Sequence, residues 1–244
     1  MKANKLRTSL IVLSSIFYTA NLFIRIIFMN WRNKITRPWV NNRLLIWSKQ
    51  LLNQVGVTCT IINPHHIEPQ PGKPTIIICN HSSLYDIPIS FLVFPNHPIR
   101  MLAKKELSKI PLMEKAIKAS ESRIIDRHNK KQIISDLKAI RTLINSGIIM
   151  WIAPEGTRSA DGKLAPFKKG AFISAIQAKA TIIPIGICGA HNILQANTFS
   201  FKMNQAVEVR VGDPIDASKY TTKDKEALAV KAYEAMRILV QQNQ

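Results

Sequence analysis

The chain has 244 residues, of which 46% are hydrophobic and 20% are charged, and it carries 9 Gly and 13 Pro. These proportions exclude collagen, a coiled coil and wholesale disorder, and they leave enough apolar material for a packed core. Lys and Arg number 34 against 15 Asp and Glu, so the formal net charge is +19. The partner is therefore expected to be anionic: a phosphate-bearing substrate, an acidic membrane surface or a nucleic acid.

Three cysteines, Cys59, Cys79 and Cys188, lie far apart and form no C-x-x-C pair. This spacing argues against a disulfide framework and against a zinc site, and it is typical of a reducing compartment. We therefore expect each thiol to be a small side chain of the core.

The first 67 residues contain nine Lys or Arg and no Asp or Glu. Residues 9–24 are uncharged and mostly apolar, and they reach the roughly 20 residues of a transmembrane helix only if Arg25 is included. A second helix is predicted from Pro38, because apolar residues recur at steps of three and four. These residues are Val40, Leu44, Trp47, Leu51 and Val55.

Four interpretations of residues 1–56 remain open from the sequence. They are a two-helix anchor in one leaflet, a spanning helix followed by an interfacial helix, a cleaved signal peptide, and a buried hairpin of a soluble protein. We favour the two-helix anchor. The chain then divides into membrane-associating helices over 1–56 and a second domain over 57–244, with basic flanks that favour the cytoplasmic face.

The second domain alternates strands and helices. Strands are predicted over residues 75–79, 99–103, 123–125, 148–152, 181–187 and 206–211. Helices are predicted over residues 107–119, 130–145, 167–178 and 222–241. Several central strands are apolar without alternation, as expected when helices cover both faces of a sheet. The pattern predicts an α/β fold with a mostly parallel sheet covered by helices.

Ligands of such sheets bind beyond the carboxyl ends of the strands. Polar residues follow three of the predicted strands at that point: His81 and Asp86, then Asp126 and Arg127, then Glu155, Thr157 and Arg158 with Gly156 among them. Charged groups so close to apolar strands need one another, or a ligand, for compensation. This edge of the sheet is therefore the candidate site.

His81 and Asp86 are five residues apart, which is about 140° of rotation on a regular helix, so they share no helix face. They meet only if His81 lies on the loop and Asp86 in the first helical turn, as Ser83 and Pro88 indicate. Asp86 would then hold one imidazole nitrogen and leave the other free to act as a general base. A capping aspartate beside a hydrogen-bonded loop histidine is the alternative explanation.

Arg127 and Arg158 both follow strand ends, and a guanidinium binds phosphate through paired donors. Gly156 lets the backbone approach a ligand closely, and Thr157 adds a hydroxyl donor. Glu155 can pair with an arginine or accept from a substrate hydroxyl. The alternative explanation of this segment is a surface turn with solvated charges.

Together and in this order, these residues resemble the glycerolipid acyltransferase family. The blocks that carry the resemblance are NHSSLYD from position 80, IDR from 125, PEGTRS from 154 and IPI from 183, and it extends to AKKEL from 103, which contains Lys105. Two outer positions depart from the family's pattern, with Ser122 where glycine is usual and Ala153 where an aromatic residue is usual. The departures bear on acceptor and chain-length preference.

The resemblance implies that His81 is the general base and Asp86 its orienting partner. It implies that Arg127, Lys105 and residues 155–158 bind the glycerol phosphate. The implied reaction moves a fatty acyl group from an acyl thioester to the sn-2 hydroxyl of 1-acyl-glycerol-3-phosphate, giving phosphatidic acid in phospholipid biosynthesis. The expected partners are lysophosphatidic acid, an acyl carrier protein or coenzyme A thioester, and anionic membrane lipid.

The resemblance also implies a membrane-associated protein, at the cytoplasmic face of a bacterial inner membrane. No metal, no cofactor beyond the thioester and no nucleic acid are expected. The alternatives are an acyltransferase of the same fold for another lysolipid or amino-acid lipid, and a non-catalytic membrane lipid-binding protein. A nucleic-acid binder is permitted by the charge, but no known motif supports it.

Two features of the mechanism stay open from the sequence. Ser82 and Ser83 lie beside the candidate base, so a serine nucleophile competes with direct transfer, although no G-x-S-x-G elbow is present. The oxyanion of the reaction needs hydrogen-bond donors, and the backbone amides near Ser82 or at Gly156 are candidates.

Overall fold

The computed structural model describes residues 2–126 and 130–241, with the backbone alone for residues 130–134. Its centre is a sheet whose strands are β1 (Thr58–Ile62), β2 (Thr75–Cys79), β3 (Ile99–Lys104), β4 (Arg123–Ile125), β5 (Ile149–Ile152), β6 (Thr181–Cys188), β7 (Ala206–Val211) and β8 (Ile215–Asp216). The spatial order is β1-β7-β6-β2-β5-β3-β4, and β8 pairs with β6.

Most neighbouring strands of this sheet are parallel. The five strands from β6 to β4 pair in parallel, β7 and β8 run antiparallel to β6, and β1 runs parallel to β7. This pairing confirms the predicted α/β fold with a mostly parallel sheet. The six predicted strands agree with the structure to within one residue at each end, while β1 and β8 are additions to the prediction.

The middle strands are apolar on both faces because helices cover both faces. Every residue of β2 and of β5 is buried. Successive residues of β2 enter two different cores: Ile77 and Cys79 pack in one, and Ile76 and Ile78 pack in the other. Two-sided burial therefore explains the unbroken apolar runs.

The three cysteines are free thiols, with Cys79 buried and Cys59 and Cys188 partly buried. Burial raises the pKa of the Cys59 and Cys188 thiols, and it raises the pKa of the Cys79 thiol well above its ordinary value. A buried thiol with a raised pKa is an inert packing group at neutral pH. This is the role that the spacing predicts.

The helices are α1 (Lys5–Trp31), α2 (Arg37–Gln54), α3 (Asp86–Val93), α4 (Met113–Ala119), α5 (Lys130–Asn145), α6 (Gly170–Ala178), α7 (Ala190–Ile193) and α8 (Lys225–Gln241). The helix predicted over 130–145 is α5, and the one predicted over 167–178 begins three residues late, as α6. The helix predicted over 222–241 is a short 3₁₀ helix followed by α8.

The single helix predicted over 107–119 is wrong. The chain forms a 3₁₀ helix at Lys105–Lys109, breaks, and resumes as α4 at Met113. The break falls at Pro111, which has no N–H to donate, and at Leu112, whose φ of +66° is left-handed. Proline thus outweighs the apolar periodicity in this segment.

Among the residues that the structure describes, α1 is the one helix long and apolar enough to cross a membrane. Large apolar side chains lie exposed along it: Leu6, Leu10, Leu13, Ile16, Phe17, Ile24, Phe28 and Trp31. At about 100° per residue, their spacing places all of them within about a third of the helix circumference. This apolar stripe is compatible both with a spanning helix and with one that lies in a single leaflet.

The second helix, α2, packs on the rest of the molecule. Trp47 contacts Phe91 of α3 edge-on, with ring centroids 6.4 Å apart. Leu51, Leu52 and Val55 are buried in the core on that side of the sheet. The two-helix anchor and the division into 1–56 and 57–244 therefore stay predictions, with α2 attached to the body by apolar contacts.

A buried arginine also joins α2 to the sheet. Arg100 of β3 is 1% exposed and donates to Oδ1 of Asn41 on α2 at 2.8 Å. Burial lowers the pKa of the Arg100 guanidinium to about 10. Close by, Arg37 of α2 forms an ion pair with Glu121 at 2.7 Å. These contacts fix the position of α2 at the end of the sheet.

Candidate active site

Two neighbouring strands, β2 and β5, supply the loops that carry the central polar residues. Ile78 of β2 pairs with Ile152 of β5 in parallel register. His81 and Glu155, each three residues further on, therefore leave the sheet side by side. Neighbouring parallel strands end at the same edge, which is where ligands bind in such folds.

The structure brings His81 and Asp86 together. His81 lies on the loop after β2, Asp86 is the first residue of α3, and Nδ1 of His81 lies 2.9 Å from Oδ2 of Asp86. The His81 side chain is 17% exposed and the Asp86 side chain is fully buried. This is the arrangement of loop and first helical turn that the five-residue spacing requires.

Asp86 Oδ2 is also held by the loop that it closes. It accepts from the backbone N–H of Ser82 at 2.7 Å and of Ser83 at 2.8 Å, while Oδ1 is buried without a hydrogen-bond partner within the described ranges. An ionised carboxylate only accepts, so Nδ1 of His81 donates to it. The imidazole Nε2 is then the nitrogen left to accept a proton.

Glu155 lies beneath this loop and not at its surface. It is 4% exposed; its Oε1 accepts from the backbone N–H of His81 at 2.7 Å, and its Oε2 accepts from the N–H of Ala165 at 2.9 Å. Burial raises the pKa of the Glu155 carboxyl, and the two backbone donors act against that rise. Both carboxylate oxygens are therefore engaged by the main chain.

The loop after β5 contacts the backbone of His81 at a second residue. The N–H of Ser159 donates to the carbonyl oxygen of His81 at 2.7 Å. Together with Glu155, this bond fixes both backbone polar groups of His81. The sequence assigns Glu155 to substrate binding, whereas its contacts indicate a positioning role toward His81.

Gly156 occupies a conformation that suits glycine. Its φ is +80°, and a Cβ at this position would lie 2.9 Å from Nζ of Lys168. Its backbone N–H donates to the carbonyl oxygen of Ala153 at 3.1 Å. The tight turn after β5 thus uses the left-handed backbone that only glycine adopts without strain.

Replacing Gly156 by alanine is expected to lower the free energy of unfolding by about 1–2 kcal/mol, because a left-handed L residue is strained. Gly170→Ala is the matched control, since a Cβ there meets nothing within 4 Å. Chemical denaturation of both variants measures the difference. Equal unfolding free energies for the two variants would show that the turn imposes no strain.

Four further site residues are predicted from the sequence: Arg127, Thr157, Arg158 and Lys105. Arg127 lies outside the described ranges. Thr157 is exposed and Arg158 is half-buried, with no hydrogen-bond or ion-pair partner for the Arg158 side chain in the described part of the chain. Lys105, 61% exposed, forms an ion pair with Asp126 at 2.8 Å, and this hydrogen bond raises the pKa of the Lys105 ammonium.

The side chains of Ser82 and Ser83 bear on the serine-nucleophile alternative. Ser82 and Ser83 are both buried, and Oγ of Ser83 donates to the carbonyl oxygen of Leu194 at 2.8 Å. Within the described residues neither hydroxyl forms a hydrogen bond with His81. The two suggested oxyanion donors are also occupied, because the N–H of Ser82 donates to Asp86 and that of Gly156 donates to Ala153.

Two residues that support the site were not singled out from the sequence. The indole of Trp151 on β5 lies edge-on to the His81 ring, with centroids 6.0 Å apart. Asn80 exchanges two hydrogen bonds with the backbone of Ile187 on β6, at 2.9 and 2.7 Å. Asn80 directly precedes His81, so these two bonds fix the start of the loop after β2. The position of Trp151 near the end of an apolar strand was the sequence signal that could have placed it beside the site.

Comparison with known proteins finds a matching family model and related enzymes. The family model described as acyltransferase matches residues 60–188. A 1-acyl-sn-glycerol-3-phosphate acyltransferase of Haemophilus influenzae is 33% identical over 176 residues, which cover 70% of this chain and 71% of that protein. The alpha form of the enzyme from Mus musculus is 29% identical over 222 residues, covering 91% and 75%.

The fold has a solved counterpart. The crystal structure of PlsC, the 1-acyl-sn-glycerophosphate acyltransferase from Thermotoga maritima, superposes with a TM-score of 0.71 over 94% of this chain and 92% of that one, at 24% identity. The chain belongs to the acyltransferase family. By its relatives, it is an enzyme of the O-acyltransferase class, as the sequence motifs predict.

Proposed function

We propose that this chain transfers a fatty acyl group from an acyl thioester to the sn-2 hydroxyl of 1-acyl-glycerol-3-phosphate, forming phosphatidic acid. The observation that carries the proposal is the His81–Asp86 pair at the carboxyl edge of the sheet, with Nε2 of the imidazole left as an acceptor. The names of the relatives support lysophosphatidic acid as the acceptor.

In the proposed reaction His81 Nε2 takes the proton of the acceptor hydroxyl as its oxygen attacks the thioester carbonyl carbon. The carbonyl electron pair moves onto oxygen, and collapse of this tetrahedral oxyanion breaks the C–S bond. The departing thiolate takes the proton back from His81. General-base catalysis of this kind contributes about 10²–10⁴-fold. No bond to the protein forms at any step.

Arg158 is proposed to hold the phosphate of the acceptor, with Thr157 beside it. It follows the strand next to that of His81, and its guanidinium has no protein partner in the described residues. A half-buried guanidinium without a counter-charge is suited to bind a phosphate through paired donors. Arg127 and Lys105 stay predictions as further phosphate ligands.

Arg158→Ala is expected to raise the KM for 1-acyl-glycerol-3-phosphate by about tenfold or more with a smaller change in kcat, because a charge-assisted hydrogen bond to the acceptor is lost. Steady-state kinetics against acceptor concentration measures this split. Arg158→Lys keeps the charge without the paired donors, and its acceptor KM is expected to lie between those of the wild type and Arg158→Ala. An unchanged acceptor KM in Arg158→Ala would remove this residue from the phosphate site.

The acyl donor is proposed to be a thioester of acyl carrier protein or coenzyme A, used without a metal or other cofactor. Within residues 2–126 and 130–241, no three His, Cys, Asp or Glu side chains are grouped to hold a metal ion. The enzyme is proposed to work at the cytoplasmic face of a bacterial inner membrane, because the apolar stripe on α1 needs an apolar environment and the basic flanks favour that side.

Thin-layer analysis of labelled products tests the proposed function. The purified full chain is offered a panel of lysolipids, with acyl carrier protein and coenzyme A thioesters as donors. The expected result is phosphatidic acid from 1-acyl-glycerol-3-phosphate, formed faster than any other diacyl product. A faster reaction with another lysolipid or an amino-acid lipid would identify that lipid as the acceptor instead. No acyl transfer at all would favour a non-catalytic lipid-binding protein.

A further inference from the structure

A groove of about 120 Å³ lies between α1 and α2. Each helix contributes polar side chains at steps of three and four to its lining: Tyr18, Asn21 and Arg25 from α1, and Arg43, Trp47 and Gln50 from α2. Such spacing keeps each set on one helix face, and Leu22 and Ile46 complete the lining between these side chains. No residue of the His81 site lines this groove.

The groove carries two positive charges without compensation. The first 67 residues contain no Asp or Glu, and neither Arg25 nor Arg43 forms an ion pair within the described ranges. The Nε of Arg43 is buried without a hydrogen-bond partner. By contrast, Arg37 on the same helix α2 is paired with Glu121. Arg43 is half-buried, so its charge requires a counter-charge, while Arg25 is exposed and adds a second positive charge to the lining.

The remaining contacts hold the two guanidinium groups in place. Arg25 Nε donates to Oδ1 of Asn21 at 2.8 Å, and the Arg43 guanidinium lies over the Trp39 ring, 5.5 Å from its centroid. Two arginines with neighbouring amide and phenol donors make a site that fits the oxygens of a phosphate group.

The surroundings select a lipid as the source of the phosphate. The apolar stripe on α1 lies about a quarter turn from the face that lines the groove, given 100° per residue. A phosphate in the groove would therefore place attached acyl chains along exposed residues such as Phe17, Ile24 and Phe28. A free phosphate ion would leave that stripe uncovered.

We propose that the groove between α1 and α2 binds the phosphate of a membrane phospholipid through Arg25 and Arg43, at a site separate from the catalytic one. The bound lipid lies with its acyl chains on the apolar stripe. The N-terminal helices thus recognise one lipid molecule, in addition to any diffuse attraction of a basic surface to an anionic membrane.

Native mass spectrometry of the full chain in detergent, titrated with dioctanoyl phosphatidylglycerol, tests the site. Arg25→Gln/Arg43→Gln is expected to weaken the one-to-one complex by about tenfold or more. The matched control is Arg7→Gln/Lys49→Gln, which removes the same charge from exposed positions of the same two helices. Arg158→Ala, in the proposed acceptor site, is expected to bind as the wild type does.

Arg25→Gln alone is a second variant, because Arg25 is exposed and its loss leaves the packing intact; it is expected to show part of the effect. Equal weakening in the groove variant and the control would overturn the site and leave only diffuse attraction. Weakening in Arg158→Ala alone would assign the lipid to the acceptor site. Binding of inorganic phosphate as tight as that of the lipid would overturn the lipid as its ligand.

Discussion

Replacing His81 by alanine is expected to lower the rate of acyl transfer by about 10²–10⁴-fold, because the variant loses the group that accepts the hydroxyl proton. The imidazole is partly exposed, and its backbone is held by Glu155 and Ser159. The fold is therefore expected to survive the change. Initial rates of phosphatidic acid formation measure the effect, and circular dichroism confirms the fold.

His65→Ala is the control for this experiment. Nδ1 of His65 also lies next to an aspartate oxygen, 2.7 Å from Oδ1 of Asp213, but both side chains are exposed. The two residues follow β1 and β7, which run antiparallel to β2 and therefore end at the opposite edge of the sheet. It is expected to keep the wild-type rate. A His81→Ala enzyme that turns over as fast as His65→Ala would exclude the imidazole from the chemistry.

Replacing Asp86 by asparagine is expected to lower the rate by a comparable factor, about 10²–10⁴-fold. The neutral amide no longer holds the proton on Nδ1 of His81, so the tautomer in which Nε2 accepts a proton is no longer favoured. Asp86→Ala is also expected to destabilise the fold, since the N–H groups of Ser82 and Ser83 lose their partner at about 1–3 kcal/mol each. Kinetics and chemical denaturation measure the two effects separately.

Asp216→Ala is the control for stability. Asp216 accepts from the N–H of Ser218 at 2.9 Å but is exposed, so water can replace the carboxylate as the acceptor. Its replacement by alanine is expected to lower the free energy of unfolding by about 0.5–2 kcal/mol. Asp86→Ala is expected to cost clearly more. An Asp86→Asn enzyme with full activity would show that the carboxylate does not orient His81. An Asp86→Ala protein as stable as Asp216→Ala would show that the carboxylate does not hold the loop.

Much of the fold could be read from the sequence because burial dictates it. Strands β2 and β5 are buried on both faces, so their apolar runs are unmistakable. The edge strand β1 is mostly exposed, and β8 has two residues, so neither leaves a clear pattern. The single helix predicted over 107–119 is wrong for a different reason. The apolar periodicity continues across Pro111, but the helix cannot, because proline has no N–H to donate.

The pairing of His81 with Asp86 was predictable because it is local. Five residues and a helix start define the geometry, and the structure has it. The contacts of Glu155 were not predictable, because its partner at Oε1 is a backbone N–H that lies 74 residues earlier in the chain. Sequence shows that a carboxylate follows a strand, but only the pairing of β2 with β5 shows which group it meets.

The most direct test of the central claim is the mass of the intact protein after rapid mixing with an acyl thioester. If His81 deprotonates the lipid hydroxyl for direct attack, the protein mass should stay unchanged with donor alone, and the acyl group should appear only on added acceptor. An acyl adduct on Ser82 or Ser83, formed and consumed at the rate of turnover, would contradict the account.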